Sequence, residues 1–191
     1  MIRAVLDEAG LRLADLDGIA FGAGPGSFTG LRIACGVAQG LAFGANLPLV
    51  GISTLEAIAE TSRTAHRWTR VVTGLDARMQ EVYFAAYEYA GDRWHAHIEP
   101  CVIKPDAAPL LEGSWCGAGN GFAVYPLLRE RMSNALLTCD ALISPTALAI
   151  GTLAQSRFAA GEGVAARDAA PLYVRQRVAL TTVERDAGIR L

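Results

Sequence analysis

The chain has 191 residues, enough for one large domain or two small lobes with a buried core. Hydrophobic residues make up 52% of it and the formal net charge is −2, so there is no global basic footprint for holding nucleic acid unaided. The four cysteines (Cys35, Cys101, Cys116 and Cys139) lie far apart with no C-x-x-C pair, which argues against zinc and a disulfide framework and fits a reducing cytosol.

Acidic residues fall among the first eight positions, where a signal peptide needs an apolar core. Ile2, Val5 and Leu6 share one helical face, and Gly10 suits the position after a helix, so the chain opens inside or at the end of a helix. Asp15-Leu-Asp17 then turns into a strand over 18–22. A loop of glycines and hydroxyls, Gly22 to Gly30, follows, and a very apolar helix is expected over 31–45. That apolar run contains Gln39 and three glycines and is too short to span a bilayer. Asn46-Leu-Pro48 ends it, because proline disfavours a helical residue before it. Leu49 to Ile52 reads as a short buried strand, with Ser53 or Thr54 capping a helix over 55–65.

Beyond His66 to Thr69 the pattern changes to hairpins. Strands are expected over 69–75 and 81–89 around the turn Asp76-Ala-Arg-Met79, and again over 94–104. Ser114 to Ala118 enters a second glycine turn, Gly119-Asn-Gly121, and Leu136 to Cys139 is another short strand. Ser144 and Pro145 form an N-cap and N1 pair opening a helix to about Ala160, which Gly161 ends. An acidic-basic tail begins at Ala169 and contains Pro171-Leu-Tyr-Val-Arg175. This order suggests two α/β lobes, 1–66 and 67–191, with the C-terminal tail free to return to the first.

Strand, glycine loop and helix N-terminus form an arrangement that can bind phosphate through backbone N–H groups. The Walker pattern fails here because Gly30 is followed by Leu31 with no lysine near, and the dinucleotide fingerprint fails because Thr29 stands where a third glycine belongs. A nucleophile elbow would need glycine at Pro25. What remains is a backbone nest of Gly24, Gly26 and Gly30 with Ser27 and Thr29 as hydroxyl donors or caps. The spacing favours a tight turn over a weak phosphate or nucleotide contact.

In the helix that follows, Gly36, Gly40 and Gly44 recur every fourth residue as a smooth stripe, with Ala34, Ala38 and Ala42 beside it. Such a stripe admits a closely packed helix, at about 0.8–1 kcal/mol of lost helix propensity per glycine. Apart from Arg32 and Gln39 the helix is apolar all round, so it should be covered on nearly every side. Either its own domain or another subunit could provide that cover. Acid–base chemistry looks poor. His95 and His97 would share one face of a strand, with no third metal ligand in sequence. Asp76 flanks a turn, where aspartate commonly caps backbone N–H groups.

The run Phe21 to Ile33, which contains G-P-G-S-F-T-G-L-R-I, resembles the bacterial TsaB (YeaZ) family of tRNA threonylcarbamoyladenosine biosynthesis proteins, in the glycoprotease-like branch of the actin/Hsp70/sugar-kinase superfamily. Pro48 to Ala57, Asp76-Ala-Arg78 with Glu81-Val-Tyr83, and Pro171 to Arg175 agree in order. The resemblance implies an α/β, two-lobed actin-like ATPase (ribonuclease H-like) fold. It also implies a non-catalytic, cytoplasmic partner of the paralogue TsaD, which transfers threonylcarbamoyl to N6 of adenosine 37 in tRNA, with the ATPase TsaE joining the cycle. ATP or ADP would then enter through partner subunits, tRNA through the complex, and no metal or cofactor would belong to this chain. Contact is implied through residues 1–9 and 31–45, which puts Arg32, Ile33, Gly36, Val37, Gly40 and Gly44 at an interface with TsaD or in a homodimer.

Catalytic relatives carry a histidine pair after the strand at 48–52, where this chain reads Gly51-Ile-Ser-Thr-Leu-Glu-Ala57. They also have a glycine-rich turn where Asp76 and Arg78 stand here. An ATP-dependent kinase or ATPase of the same superfamily, and a glycoprotease-like peptidase, are the rival readings. Family members begin with strands bearing an Asp-Thr-Ser-type turn, so the first lobe is expected to lack its N-terminal strands and to expose a sheet edge and apolar surface.

Overall fold

The computed structural model describes residues 1–175, and the end of the acidic-basic tail lies outside them. Helix α1 (Ile2–Ala9) ends as expected on Gly10, whose left-handed conformation (φ 67°) lets its N–H reach back to the last turn. No residue of α1 is buried. Strand β1 (Ile19–Gly24) runs parallel to β2 (Leu49–Ser53), and the two form a sheet of their own.

Alternation along β1 separates two packing layers. Ile19, Phe21 and Ala23 pack with Cys35, Ala38 and Ala42 of α2 (Phe28–Ala45). Ala20 and Gly22 face the opposite layer, where α6 (Ala147–Ala159) lies against β1, β2 and α3 (Thr54–His66). Covering both faces of this parallel pair matches its apolar composition.

The second sheet has the order β5-β4-β3-β6-β7. It comprises β3 (Arg70–Asp76), β4 (Val82–Ala90), β5 (Arg93–Ile103), β6 (Trp115–Ala118) and β7 (Leu136–Asp140). The β3–β4 and β4–β5 pairs are antiparallel, whereas β6 joins β3 and β7 in parallel. Val71, Ala85 and Tyr87 face α3, while Val72, Phe84 and Ala86 face the short helices α4 (Gly121–Val124) and α5 (Pro126–Arg131). Helix α3 therefore touches both sheets and holds the two halves together.

Two helix starts differ from expectation for the same reason. Helix α2 begins at Phe28 rather than Leu31, because the Ser27 hydroxyl accepts the Gly30 N–H and caps the turn three residues earlier. Thr29 and Gly30 thus belong to the first helical turn, not to a loop. Helix α6 begins at Ala147, capped by the Thr146 hydroxyl on the Ala149 N–H, rather than at Ser144-Pro145. Helix α2 ends on Asn46 in the left-handed region (φ 54°), a local cap two residues ahead of the proline.

Candidate functional site

The surface of α2 separates the two kinds of cover that its composition left open. Its apolar girth is not covered all round: Cys35, Ala38 and Ala42 are its only buried residues. Ile33 is 61% exposed, Val37 46% and Phe43 83%. Gly36, Gly40 and Gly44 are exposed too, and a Cβ added at any of them would meet no atom within 4 Å. The packing that accounts for the helix's composition within the chain is confined to one narrow face. Helix α1 adds the half-exposed Ile2 (41%) and Val5 (61%). The stripe is open ground, with no side chain of its own chain over the backbone.

The glycine loop, whose spacing favours a tight turn over a phosphate contact, is covered by a distant part of the chain. Residues 169–175 return from α6 and run over it as a strap. The Leu172 N–H donates to the Ala23 carbonyl at 2.7 Å. Gly24 has φ 119°, and a Cβ there would sit 2.8 Å from the Leu172 carbonyl oxygen and 2.9 Å from a Leu31 methyl, so only glycine fits. Gln39 donates to the Ala169 carbonyl at 3.0 Å, and Arg32 Nε donates to the Tyr173 hydroxyl at 3.1 Å. Arg32 also lies over the Phe28 ring, so it sits at the mouth of the loop and points to the strap. Thr54 donates its hydroxyl to the Pro25 carbonyl, tying the loop to α3. A groove of about 430 Å³ remains between Gly26, Phe28, Arg32, Tyr83, Tyr173 and Arg175. The strap's role was not legible in its residues, although Pro171 to Arg175 had stood out as a motif.

The turn after β3 is a closed network. Ala77 N–H donates to the Glu81 carbonyl, and Arg78, Met79 and Gln80 all have positive φ. Asp76 is the cap expected of it: its Oδ1 accepts the Arg78 N–H at 2.8 Å and the Tyr125 hydroxyl at 2.7 Å. Its Oδ2 pairs with the Arg78 guanidinium at 3.1 Å. Burial first, then the bond to Asp76, pushes the Tyr125 hydroxyl up to about 12. Arg175 closes the turn from the strap side, donating to the Ala77 carbonyl and pairing with Glu81 at 2.6 Å. Both Asp76 oxygens are engaged, which suits a scaffold rather than a proton carrier.

The histidines take separate partners. His66 lies 2.8 Å from Asp140, His95 3.2 Å from the Ala90 carbonyl, and the His97 ring tilts against Trp115. Among the described residues no group of three His, Cys, Asp or Glu is arranged to hold a metal ion. No helix there is long and apolar enough to cross a membrane. Sequence reading missed the buried Glu60, which accepts from Trp94 Nε1 at 2.9 Å and from Arg63 at 2.7 and 2.9 Å.

A parallel strand pair with a glycine loop, joined by one helix to a mixed sheet, belongs to the two-lobed actin-like α/β class. The chain matches the family model described as TsaD, tRNA N6-adenosine threonylcarbamoyltransferase, over residues 1–179. Two solved structures of Pseudomonas aeruginosa proteins superpose on it. One is described as uncharacterized with similarity to peptidase YeaZ (TM-score 0.85, 38% identity, 92% of this chain and 81% of that one). The other is YeaZ itself (TM-score 0.84, 39% identity, 91% and 81%).

Among curated proteins, the Escherichia coli tRNA threonylcarbamoyladenosine biosynthesis protein TsaB is 39% identical, with 94% of this chain and 79% of the relative aligned. The TsaB of Haemophilus influenzae is 37% identical, over 93% of this chain and 78% of the relative. The chain belongs to the TsaB (YeaZ) family.

Proposed function

We propose that this protein is a non-catalytic, activating subunit of the cytoplasmic complex that installs threonylcarbamoyl on N6 of adenosine 37 in tRNA. Its partners are the catalytic paralogue TsaD and the ATPase TsaE. The chain acts as a platform in which α6 and the strap at 169–175 pack onto the first sheet rather than onto a separate lobe over 67–191, and α1 and α2 make the contact with TsaD. The observation that carries this reading is the open glycine face of α2, flanked by the exposed Ile33, Val37 and Phe43. Apolar surface of that kind on a helix already packed on its other side is suited to a partner helix.

ATP or ADP enters with the partner subunits, and this chain brings no cofactor of its own. In support, the strap carbonyl of Leu172 stands against Gly24, and both Asp76 oxygens are engaged within the turn. With net charge −2, tRNA is reached through the complex. When TsaD is lacking, the same face pairs two copies of this chain.

Gly40→Leu tests the reading, since the added isobutyl group would project into the partner's space from a position with open surroundings in its own chain. Co-purification with TsaD and tRNA modification by the reconstituted complex should fall about a hundredfold, with the circular dichroism and melting of the isolated variant preserved. Undiminished co-purification would overturn the assignment.

A further inference from the structure

The open face of α2 is too small to hold a partner alone. Its 18 residues make a helix about 27 Å long and about 10 Å wide, so one side presents roughly 300 Å². A stable, specific contact takes about 800 Å² from each partner. Helix α1 is short and adds only Ile2 and Val5 as exposed apolar side chains. Further apolar surface must therefore lie beside α2.

The strap supplies it. Gly36, Gly40 and Gly44 stand at every fourth position of α2, and the same row continues towards its N-terminus as Arg32 and Phe28. Residues 169–175 run along that flank and are tied to α2 twice, by Gln39 on the Ala169 carbonyl and by Arg32 Nε on the Tyr173 hydroxyl. The Phe28 and Tyr173 rings lie 6.0 Å apart, tilted by 39°, and Arg32 is stacked on Phe28. Both rings are about half exposed (48% and 49%), and Leu172 beside them is 40% exposed. Water answers an exposed charge, but it does not answer aromatic and aliphatic surface gathered in one place. The groove of about 430 Å³ opens between these rings and Tyr83, so the smooth glycine row leads into an apolar socket.

We propose that the strap is part of the TsaD-binding surface. The TsaD helix that lies in the glycine stripe places an apolar side chain in the socket formed by Phe28, Tyr173 and Tyr83, and so holds the strap down on the glycine loop. This rests on the contact through α2 and extends it to a segment about 130 residues further along the chain.

Hydrogen exchange of the Leu172 amide, which donates to the Ala23 carbonyl, would be followed in the full chain alone and saturated with TsaD. Exchange at least about tenfold slower is expected in the complex. Tyr173→Ala and Phe28→Ala should each weaken TsaD binding about tenfold. Leu142→Ala, which removes a more exposed leucine from the loop after β7, should leave it unchanged. The exchange measurement needs no variant and decides the matter even where Tyr173→Ala does not fold. Unaltered Leu172 exchange, parental affinity in both aromatic variants, or an equal loss in Leu142→Ala would each overturn the strap contact. With Gly40→Leu still blocking association in the same assay, the α2 contact would stand without it; with Gly40→Leu binding undiminished, both would fall.

Discussion

Helices α2 and α3 each follow a strand of the same parallel pair, yet they are opposite in kind. Over 18 residues α2 buries three, although Arg32 is its only charged residue. Over 13 residues α3 buries six, including Glu60 and Ser62, while carrying four charged or ionisable groups on its length. The more apolar helix is thus the less buried one. Hydrophobicity reports how much surface a helix needs covered, and the fold of one chain reports how much of that need is met internally. In α3 the need is met twice over, by both sheets. In α2 it is met on a single face, and the remainder is the surface proposed for a partner.

The comparison can be broken most sharply from the α3 side. Leu55 is fully buried between layers, and Leu55→Ala should destabilise the isolated protein by about 2–5 kcal/mol in urea denaturation. Glu60→Gln comes next, because it removes the charge opposite Arg63 and turns one of the two buried acceptor oxygens shared by Arg63 and Trp94 into an NH2 donor. A loss of about 1–3 kcal/mol is expected at pH 7.

The Glu60 effect should depend on pH with a defined sign. Burial pushes the carboxyl up, but the hydrogen bonds from Arg63 and Trp94 and the Arg63 charge outweigh it and leave Glu60 below its ordinary 4.5. Its stabilisation is therefore complete above pH 4.5 and is lost as pH falls through the depressed native value. The stability gap between the parent and Glu60→Gln should narrow over that acid window. Glu56, pushed up by burial against the pull of Arg157, acts with the opposite sign, but it is common to both proteins and cancels in the difference.

The smallest effect belongs to α2. Gly40→Ala adds a methyl group where nothing stands within 4 Å, so it should raise the unfolding free energy of the isolated chain by about 0.5–1 kcal/mol. A destabilisation would mean that the stripe is packed within the chain, and the contrast between the two helices would collapse.

Most elements were legible because local rules decide them. Short apolar runs marked β1 and β2, Gly10 marked the end of α1, and Asp76 capped the turn it was expected to cap. The starts of α2 and α6 were misplaced by about three residues, since several hydroxyls compete to cap a helix and only the backbone path selects Ser27 and Thr146. The motif at Pro171 to Arg175 was visible as a string, but its contact with Gly24 spans almost the whole described chain, and no local pattern encodes such a pairing.

The sequence by itself determined the family, the strand–loop–helix unit and the presence of a smooth glycine stripe, because these depend on residue type at short spacing. Only the tertiary structure decided that the stripe faces outward and that a strap distant in sequence closes over the glycine loop. Burial and long-range contact are properties of the packed chain. They depend on which apolar faces find one another, and composition along a helix cannot say which face is left over.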